Sequence, residues 1–441
     1  MNAEDSLLDR IRSRRATIAV IGLGYVGLPL AVEKAKAGFT VVGIERNPDR
    51  VAKVNRGENY IGDVVVEELE TVVHNGHLRA TQEFTGVSEA DVVAICVPTP
   101  LDKNKQPDTS YIEHVVERSL PYIHAGQLVV LESTTYPGTT EEVIQPRFEA
   151  NGLTIGRDVF LAFSPERVDP GNAHYNTKNT PKLVGGVTPA CTQLAAALYE
   201  QVLDSTVCRV SSPRTAEMAK LLENIFRIVN ISLVNELARL CERMGIDIWE
   251  VIEAAKTKPF GYMPFYPGPG LGGHCIPLDP FYLSWKAKEF DFTTRFIELA
   301  GEINDEMPYH VVDRVSELLN SVGKPIRGAC ILLLGVAYKK DIDDIRQSPA
   351  LKVAHLLQEQ GAKLAYHDPL IPSVDQGDLH FASIELSDDA LAQQDLVLIT
   401  TNHSAVDYDR VVKEARLVFD TRNATAGRSA PNVFRLGAGP Q

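Results

Sequence analysis

Short apolar runs, separated by amphipathic stretches, organise the first half of the chain. The runs are rich in β-branched residues and too short for helices, a pattern that predicts buried strands. Strands that alternate with helices build a parallel, doubly wound sheet, and we expect one over residues 1–210. The predicted strands are TIAVIGL (17–23), TVVGIE (40–45), DVVAICV (91–97), QLVVLES (127–133) and VFLAFSP (159–165).

The pattern becomes helical after Ser211. Residues 214–255 have helical spacing with one weak break at 244–245, and their apolar side chains occupy more than one helix face. Such a helix usually packs against a large surface, so we expect a helical region over residues 211–315 that joins two subunits of a homodimer or higher homo-oligomer. The Gly- and Pro-rich loop at 260–280 is of a kind that is often functional.

A second set of apolar runs begins near Gly323. It comprises ACILLLGVAY (329–338), AKLAYHDP (362–369) and DLVLITT (395–401), with a helical stretch at 349–360. We expect a second α/β domain over residues 316–441. The predicted fold class is therefore α/β, with two Rossmann-like doubly wound domains joined by a central helical dimerisation region.

Composition and charge narrow the function. The 441 residues carry 44 basic and 58 acidic side chains, a net charge of −14, which argues against non-specific nucleic-acid binding. No apolar run approaches the roughly 20 residues of a membrane span. The polar N-terminus MNAEDSLLDRIRSRR predicts a short charged helix rather than a secretory signal, and with it a cytoplasmic location. Six scattered cysteines without a C-x-x-C pair predict reduced thiols, and no metal site is expected.

The motif GLGYVG (22–27) follows a predicted strand and opens a helix, as a dinucleotide-binding turn requires. Gly22 permits the tight turn, Gly24 lets the backbone approach a pyrophosphate, and Gly27 permits close packing of helix on strand. Glu45 ends the next strand and can accept hydrogen bonds from ribose hydroxyls, which favours NAD over NADP. Arg46 is the counter-argument, since arginine can bind a 2′-phosphate. FAD is a weaker alternative.

With these motifs in place, the chain resembles the UDP-glucose/GDP-mannose dehydrogenase family from end to end. The resemblance implies an NAD domain, a central dimerisation region and a C-terminal domain that holds the UDP-sugar. The matching motifs are GLGYVGLPL (22–30), CVPTP (96–100), ESTTYPGTT (132–140), FSPERVDPGN (163–172), EMAKLLENIFRIVNISLVNE (217–236), GPGLGGHCIPLDP (268–280) and LGVAYKKDIDDIRQSPA (334–350).

Two segments, SPERVDPGN and TKPFGYMPFYPGPGLGGHCIPLDP, are most similar to the UDP-N-acetylglucosamine 6-dehydrogenase branch of that family. The UDP-glucose branch typically reads SPEFL and GGxCLPKD at these places. Here His274 precedes the cysteine and Leu278 replaces the lysine, so roles of those residues do not carry over.

Cys275 lies in a glycine-rich loop rather than in an apolar run. Oxidation of an aldehyde to an acid by hydride transfer requires a tetrahedral adduct, which a thiolate supplies as a thiohemiacetal and then a thioester. Spacing alone leaves a buried structural thiol open, and the resemblance implies the nucleophile. Asp279 shares a helix face with Cys275 if a turn begins at Pro277, and can position a water or a lysine; a plain helix N-terminal acid is the alternative. His274 could favour the thiolate or only shape the pocket.

Lys220 and Asn224 are four residues apart and so share one helix face. The resemblance places them beside the reacting carbon, where they would stabilise the alkoxide and the oxyanion; spacing alone would favour an exposed helix face. Glu166 follows a predicted strand and matches the family glutamate that activates water for thioester hydrolysis. Thr134 matches the threonine near the same water, with a simple cap as the alternative.

Lys339 and Arg346 flank a strand–turn in the third region. The resemblance implies that they bind the substrate nucleotide and that Arg346 also reaches the cofactor; a solvated charged loop is the alternative interpretation of KKDIDDIR. The predicted cofactor contacts are Gly22, Gly24, Tyr25, Val26, Gly27, Glu45, Arg46, Pro98, Thr99, Thr134 and Arg346. The predicted substrate contacts are Glu166, Arg167, Lys220, Asn224, Gly272, Gly273 and Lys339.

These residues predict an NAD-dependent, four-electron oxidation of the C6 hydroxyl of UDP-N-acetylglucosamine to the uronic acid. The resemblance implies a route to a cell-surface polysaccharide or O-antigen. Three alternatives stay open at this point: the same chemistry on UDP-glucose or UDP-N-acetylmannosamine, a two-electron dehydrogenase, and a non-catalytic nucleotide-sugar sensor.

Overall fold

The computed structural model describes residues 3–102, 104–169, 171–172, 174–428 and 430–439. It divides into an N-terminal unit, Met1–Glu223 with Phe281–Phe292, and a C-terminal unit, Asn224–Pro280 with Thr293–Gln441. Pro170 of the 163–172 motif lies outside the described residues, as do the two residues at each end of the chain. The predicted three-part division at residues 210 and 315 stays a prediction.

The described strands of the N-terminal unit form one eight-stranded sheet in the order β3-β2-β1-β4-β5-β6-β7-β8. The strands are β1 Thr17–Ile21, β2 Thr40–Ile44, β3 Leu78–Thr81, β4 Val92–Ile95, β5 Gln127–Leu131, β6 Val159–Phe163, β7 Lys182–Gly186 and β8 Val207–Val210. The helices are α1 Ala3–Arg12, α2 Gly27–Lys36, α3 Pro48–Asn55, α4 Val66–His74, α5 Ser110–Ser119, α6 Gln145–Ala150 and α7 Pro189–Val202.

The five strands predicted for this unit are confirmed, and their sequences explain the sheet. Successive residues of β1 enter different cores: Ile18 and Val20 join one apolar cluster, and Ala19 and Ile21 join the other. Because side chains alternate across a strand, a strand buried on both faces must be apolar throughout. The predicted N-terminal helix is also confirmed, over the described residues 3–12.

The last two strands differ from the expected parallel sheet. β6 pairs antiparallel with β7, with Ala162 opposite Gly186 and Phe163 opposite Gly185, and β8 then runs parallel to β7. The described residues between β6 and β7 contain no helix, so the chain returns to the sheet without a crossover. The start of β7 therefore lies at the same edge as the carboxyl end of β6.

Long helices link the two α/β parts of the chain. They are α8 Pro213–Met244, α9 Ile248–Lys256, α10 Cys275–Ala287 and α11 Arg295–Ser321. The predicted break after residue 244 is confirmed, because the described chain leaves helical structure between α8 and α9. Gly245 adopts a φ of +72° there, which glycine tolerates and which ends α8.

The C-terminal unit contains a five-stranded parallel sheet in the order β10-β9-β13-β14-β15 and a separate antiparallel pair, β11 and β12. The strands are β9 Cys330–Leu334, β10 Lys363–His367, β11 Ser373–Gln376, β12 Leu379–Ala382, β13 Leu396–Ile399, β14 Val418–Asp420 and β15 Val433–Arg435. The helices after α11 are α12 Pro349–Glu359, α13 Asp388–Ala392 and α14 Tyr408–Glu414. The second predicted α/β domain is confirmed.

Candidate active site

The glycine turn between β1 and α2 has the geometry that a dinucleotide requires. Gly22 has a φ of +91°, and a Cβ on Gly27 would lie 1.8 Å from the Gly22 carbonyl oxygen, so neither position accepts a side chain without movement. A Cβ on Gly24 would meet nothing within 4 Å. The backbone at Gly24 is thus open to a ligand at the N-terminus of α2, where free N–H groups favour phosphate. These residues fit NAD.

Glu45 is 6% exposed and supports this turn from the end of β2. Its carboxylate accepts hydrogen bonds from Leu23 N at 3.0 Å and from Asn47 N at 3.0 Å. It therefore joins the glycine turn to the loop after β2, a role beyond the predicted ribose contact. The neighbouring Arg46 is exposed, with its guanidinium 5.6 Å from the centre of the Tyr111 ring.

Two further predicted cofactor segments lie side by side at the carboxyl edge of this sheet. The Thr99 hydroxyl donates to the Thr134 carbonyl at 2.7 Å, and Val97 N donates to Ser133 Oγ at 3.0 Å. These bonds join the loop after β4 to the loop after β5. In the same loops Pro98 is exposed and Thr134 is half-buried, and the open edge of a doubly wound sheet is where ligands bind.

Glu166 lies in the loop after β6, at the same edge. One carboxylate oxygen, Oε1, accepts from Arg167 N at 2.7 Å and from Val168 N at 2.9 Å. The other, Oε2, lies 3.3 Å from Lys182 Nζ. Arg167 itself donates to the Pro181 carbonyl and pairs with Glu223 at 2.7 Å, so its guanidinium has protein partners.

Sequence reasoning missed a buried group of charged residues beside Glu166. Glu132 is 1% exposed and lies 3.3 Å from Lys34 Nζ and 2.9 Å from Lys182 Nζ. The Tyr199 hydroxyl donates to Glu132 at 2.5 Å. A signal existed in the sequence, since Lys34 stands in the apolar stretch of α2 and Glu132 directly follows the apolar run of β5.

Helix α8 carries Lys220 and is fixed near its start by Glu217. The buried Glu217 carboxylate accepts from Gly138 N at 2.5 Å, Thr140 N at 3.0 Å and Thr140 Oγ1 at 2.7 Å. Burial raises the pKa of Glu217 to about 7, although the three donors act in the opposite direction. Lys220 lies one turn further along and is 7% exposed, so the exposed-face alternative for this lysine is wrong.

Cys275 is the first residue of α10, not a member of a loop, and its side chain is exposed. The helix begins two residues before Pro277, earlier than the expected turn. Cys275 and Asp279 are therefore one turn apart on the same helix and share a face. The free N–H groups and the positive dipole end of α10 stabilise negative charge that forms near the sulfur.

Asp279 is paired with a predicted partner. It is 2% exposed, and its Oδ2 accepts a hydrogen bond of 2.7 Å from Asn224 Nδ2, which is 4% exposed. The exposed-face alternative for Asn224 is thus also wrong. Within the C-terminal unit the structure brings Asn224 to Asp279, and Asp279 lies one turn from Cys275.

The two glycines before the cysteine are needed for packing within the protein. A Cβ on Gly272 would lie 2.5 Å from Tyr338 Cβ, and one on Gly273 would lie 2.9 Å from the Tyr338 ring. Gly273 also has a φ of +84° and donates to the Arg346 carbonyl at 3.0 Å. Their predicted contact with the substrate through the backbone stays a prediction.

Burial lowers the pKa of His274, and the nearby Arg346 lowers it further, whereas Asp344 acts in the opposite direction. His274 is therefore neutral at neutral pH and does not supply a positive charge to the thiol. Arg346 forms a bidentate pair with Asp344, with Nη2–Oδ2 at 2.6 Å and Nε–Oδ1 at 3.0 Å. Lys339 is half-buried in the same connection after β9. The nucleotide contacts of Lys339 and Arg346 stay predictions.

Arg422, which lies in none of the sequence motifs, follows β14 at the carboxyl edge of the second sheet. Its Nε donates to the Thr400 carbonyl at 3.0 Å, and a Cβ on Gly268 would lie 2.4 Å from its Nη1. Burial lowers the pKa of Arg422 to about 10, which leaves it charged at neutral pH. A half-buried cation thus lies against the loop that leads to Cys275.

Three comparisons with known proteins agree with this geometry. Residues 16–203 match the NAD binding domain of the UDP-glucose/GDP-mannose dehydrogenase family, residues 214–306 its central domain and residues 332–427 its UDP binding domain. The chain therefore belongs to this family. It is an NAD-dependent oxidoreductase of the nucleotide-sugar dehydrogenase class, which serves polysaccharide biosynthesis.

Relatives with different sugars are about equally similar to the chain. It is 37% identical to UDP-N-acetyl-D-mannosamine dehydrogenase of Escherichia coli strain K12, over 88% of this chain and 94% of that protein. It is 36% identical to UDP-N-acetyl-D-glucosamine 6-dehydrogenase of Pseudomonas aeruginosa, over 81% and 84%. The structure of UDP-D-ManNAc dehydrogenase from Pyrococcus horikoshii superposes with a TM-score of 0.88 at 32% identity, covering 96% of this chain and all of that one.

Two features are absent from the described residues. None of their helices is long and apolar enough to cross a membrane. Among the same residues, no group of three His, Cys, Asp or Glu side chains is placed to hold a metal ion.

Proposed function

We propose that this protein oxidises the C6 hydroxyl of UDP-N-acetylglucosamine to a carboxylate through a thioester on Cys275. The observation that carries the proposal is the exposed thiol at the first residue of α10, one turn from the Asp279–Asn224 pair. A protein that only bound the nucleotide sugar would need no nucleophile at this place. The choice of N-acetylglucosamine rests on the likeness of the loop before Cys275 and of SPERVDPGN to that branch.

In the first oxidation, Lys220 or a water held by Asp279 takes the proton of the C6 hydroxyl. NAD⁺, when bound, accepts one hydride from C6 in each of the two oxidations, so two equivalents are consumed. The Lys220 ammonium and the Asn224 amide stabilise the alkoxide. The hydrogen bond from Asn224 fixes the Asp279 carboxylate, and this fixed orientation is what a water or a lysine needs as a partner for proton transfer.

In the second oxidation, Cys275 Sγ forms a bond to the aldehyde carbon, and loss of hydride from that carbon leaves a thioester. Water then attacks the thioester carbon, Glu166 accepts the proton of the water, and Thr134 helps to hold it. The carbon–sulfur bond breaks, which releases the carboxylate and returns the Cys275 thiolate. The sum is one sugar, two NAD⁺ and one water giving one sugar carboxylate, two NADH and three protons.

The yield of NADH per mole of sugar tests this proposal and separates the substrates. We expect two NADH from UDP-N-acetylglucosamine and much slower turnover of UDP-glucose and UDP-N-acetylmannosamine, measured in parallel by NADH absorbance. UDP-N-acetylmannosamine is the second candidate, because relatives named for that sugar are as similar as the N-acetylglucosamine relative.

Each outcome has a clear meaning. Two NADH with a different sugar would keep the role of Cys275 and change the substrate. One NADH per sugar would contradict the four-electron chemistry. No NADH with any of the three sugars would contradict the proposal as a whole.

We also propose that α8 pairs two subunits. Its exposed large apolar side chains recur at helical spacing and form one stripe, which we call the α8 stripe: Met218, Leu222, Phe226, Leu233, Leu237, Leu240 and Met244. At about 100° per residue these positions fall within one face, opposite to Lys220 and Asn224. A continuous apolar stripe on a long helix fits a second copy of the same helix.

Replacing Leu233 and Leu237 with glutamate is expected to give monomers, because the charges would have to be buried in the pair. Analytical ultracentrifugation of the variant and the parent measures this. A parent protein that is already monomeric at micromolar concentration would contradict the pairing. The cytoplasmic location expected from the sequence stays a prediction.

A further inference from the structure

The reversed strand β7 brings a lysine directly to Glu166. In the β6–β7 register Ala162 lies opposite Gly186 and Phe163 opposite Gly185. If this antiparallel register continues for three residues beyond Phe163, Glu166 lies opposite Lys182. The hydrogen bond from the Arg167 side chain to the Pro181 carbonyl agrees with the same register. The contact of 3.3 Å between Lys182 Nζ and Glu166 Oε2 is thus built into the sheet.

Lys182 is itself held by buried charges. It is 4% exposed, and its Nζ lies 2.9 Å from Glu132, which also pairs with the fully buried Lys34. Burial opposes the charge on Lys182, but Glu132 and Glu166 raise its pKa above the ordinary value. Burial likewise opposes the charge on Glu132, but the two lysines and Tyr199 hold its pKa below the ordinary value.

The charges of this group do not balance without Glu166. Lys34, Lys182 and Glu132 together carry one net positive charge. The other titratable groups at the cluster are neutral: burial and Glu132 raise the pKa of both Cys96 and Tyr199 far above neutral pH. A buried net positive charge is costly, and the Glu166 carboxylate, 3.3 Å from Lys182 Nζ, is the neighbouring group of opposite charge.

The hydrogen bonds of Glu166 also leave a defined place for a water. An ionised carboxylate oxygen accepts about two hydrogen bonds. Oε1 is filled by Arg167 N and Val168 N, whereas Oε2 has Lys182 as its partner within the described residues. One acceptor position therefore remains on Oε2, on a carboxylate whose orientation is fixed from three sides.

We infer that Lys182 is the positioning residue for Glu166: it holds this carboxylate oriented so that Oε2 accepts the proton of the hydrolytic water. This inference rests on the proposed role of Glu166 in thioester hydrolysis. Lys182 takes no part in either hydride transfer.

The test is a pre-steady-state assay of Lys182→Met with saturating NAD⁺ and the sugar that yields two NADH. Both hydride transfers should remain fast and give a burst of about two NADH per subunit. Steady turnover should fall on the order of tenfold to a hundredfold, with a covalent sugar adduct on Cys275 visible by intact-mass spectrometry after acid quench.

Lys34→Met is the matched control. It removes an equally buried ammonium group from the same Glu132 and changes the net charge equally, but it leaves the Lys182–Glu166 contact intact. We expect steady turnover within about threefold of the parent and no adduct. Lys182→Arg keeps the charge and should restore most of the hydrolysis. If Lys182→Met does not fold, Lys182→Gln keeps a donor without charge, and its turnover and adduct are compared in the same way.

Two results would overturn the inference. One is parental turnover without adduct in Lys182→Met; the other is an equal effect of Lys34→Met, which would mean that only buried charge matters. Glu166→Gln separates the inference about Lys182 from the proposed role of Glu166. If Glu166→Gln accumulates no adduct, the proposed role of Glu166 is wrong and the inference fails with it. If Glu166→Gln accumulates adduct and Lys182→Met does not, only the inference about Lys182 is wrong.

Discussion

Cys275→Ser should abolish release of the sugar acid, with a rate at least about a thousandfold below that of the parent. A serine hydroxyl at the start of α10 is a far weaker nucleophile than a thiolate, and an ester hydrolyses more slowly than a thioester. The first oxidation does not use the sulfur. The variant should therefore yield at most one NADH per sugar, measured by absorbance together with chromatography of the sugar product.

Cys208→Ser is the control for this variant. Cys208 is also exposed, but it lies on strand β8 and has no role in the proposed reaction. We expect parental rates and two NADH per sugar from it. In the Cys208→Ser protein, Cys275 is the remaining exposed cysteine of the described residues. Loss of activity on thiol alkylation of this variant should therefore follow modification of Cys275. Undiminished acid formation by Cys275→Ser would exclude the thioester.

Gly27→Ala should destabilise the N-terminal unit by about 3 kcal/mol or more. The added Cβ would lie 1.8 Å from the Gly22 carbonyl oxygen and 3.1 Å from Cys96 Cβ. The first of these is backbone, so no side-chain rotation relieves the overlap, and either the turn or α2 must move. Urea denaturation followed by circular dichroism measures the loss, and NAD binding should disappear with the turn.

Gly24→Ala separates stability from binding at the same turn. Its Cβ would meet no protein atom within 4 Å, so we expect the free energy of unfolding to stay within about 0.5 kcal/mol of the parent. NAD affinity should nevertheless fall at least about tenfold, because the methyl group occupies space that the pyrophosphate needs. Parental affinity in Gly24→Ala would show that the cofactor does not approach this backbone.

The repeating apolar pattern was enough to predict the strands that are buried on both faces. β1, β4, β5 and β6 are apolar nearly throughout, and short runs of this composition between turn residues are typical of strands inside a parallel sheet. β8 and β12 were not predicted, because exposed or half-exposed side chains alternate there and the runs are very short. The antiparallel direction of β7 was not predicted either, because strand direction depends on the path of the connecting segment and not on the strand residues.

The candidate site was predicted where chemistry is local in sequence and missed where it is not. Lys220 with Asn224, and Cys275 with Asp279, are each four residues apart, so their spacing places the members of each pair on one face wherever the chain is helical. Lys34, Glu132 and Lys182 come from three separate elements and meet only through the order of the strands. These three residues are far apart in the sequence, so no local motif predicts the cluster.

One helix carries both the polar pair of the proposed reaction and the α8 stripe, on opposite faces. A single residue inserted between Asn224 and Leu233 would rotate everything beyond it by about 100° relative to Lys220. The part of the stripe beyond the insertion would then turn away from its partner while the reacting groups stayed in place. This helix can accept point substitutions during evolution, but not insertions or deletions. Its length should therefore vary far less among descendants of this chain than the lengths of the loops that flank it.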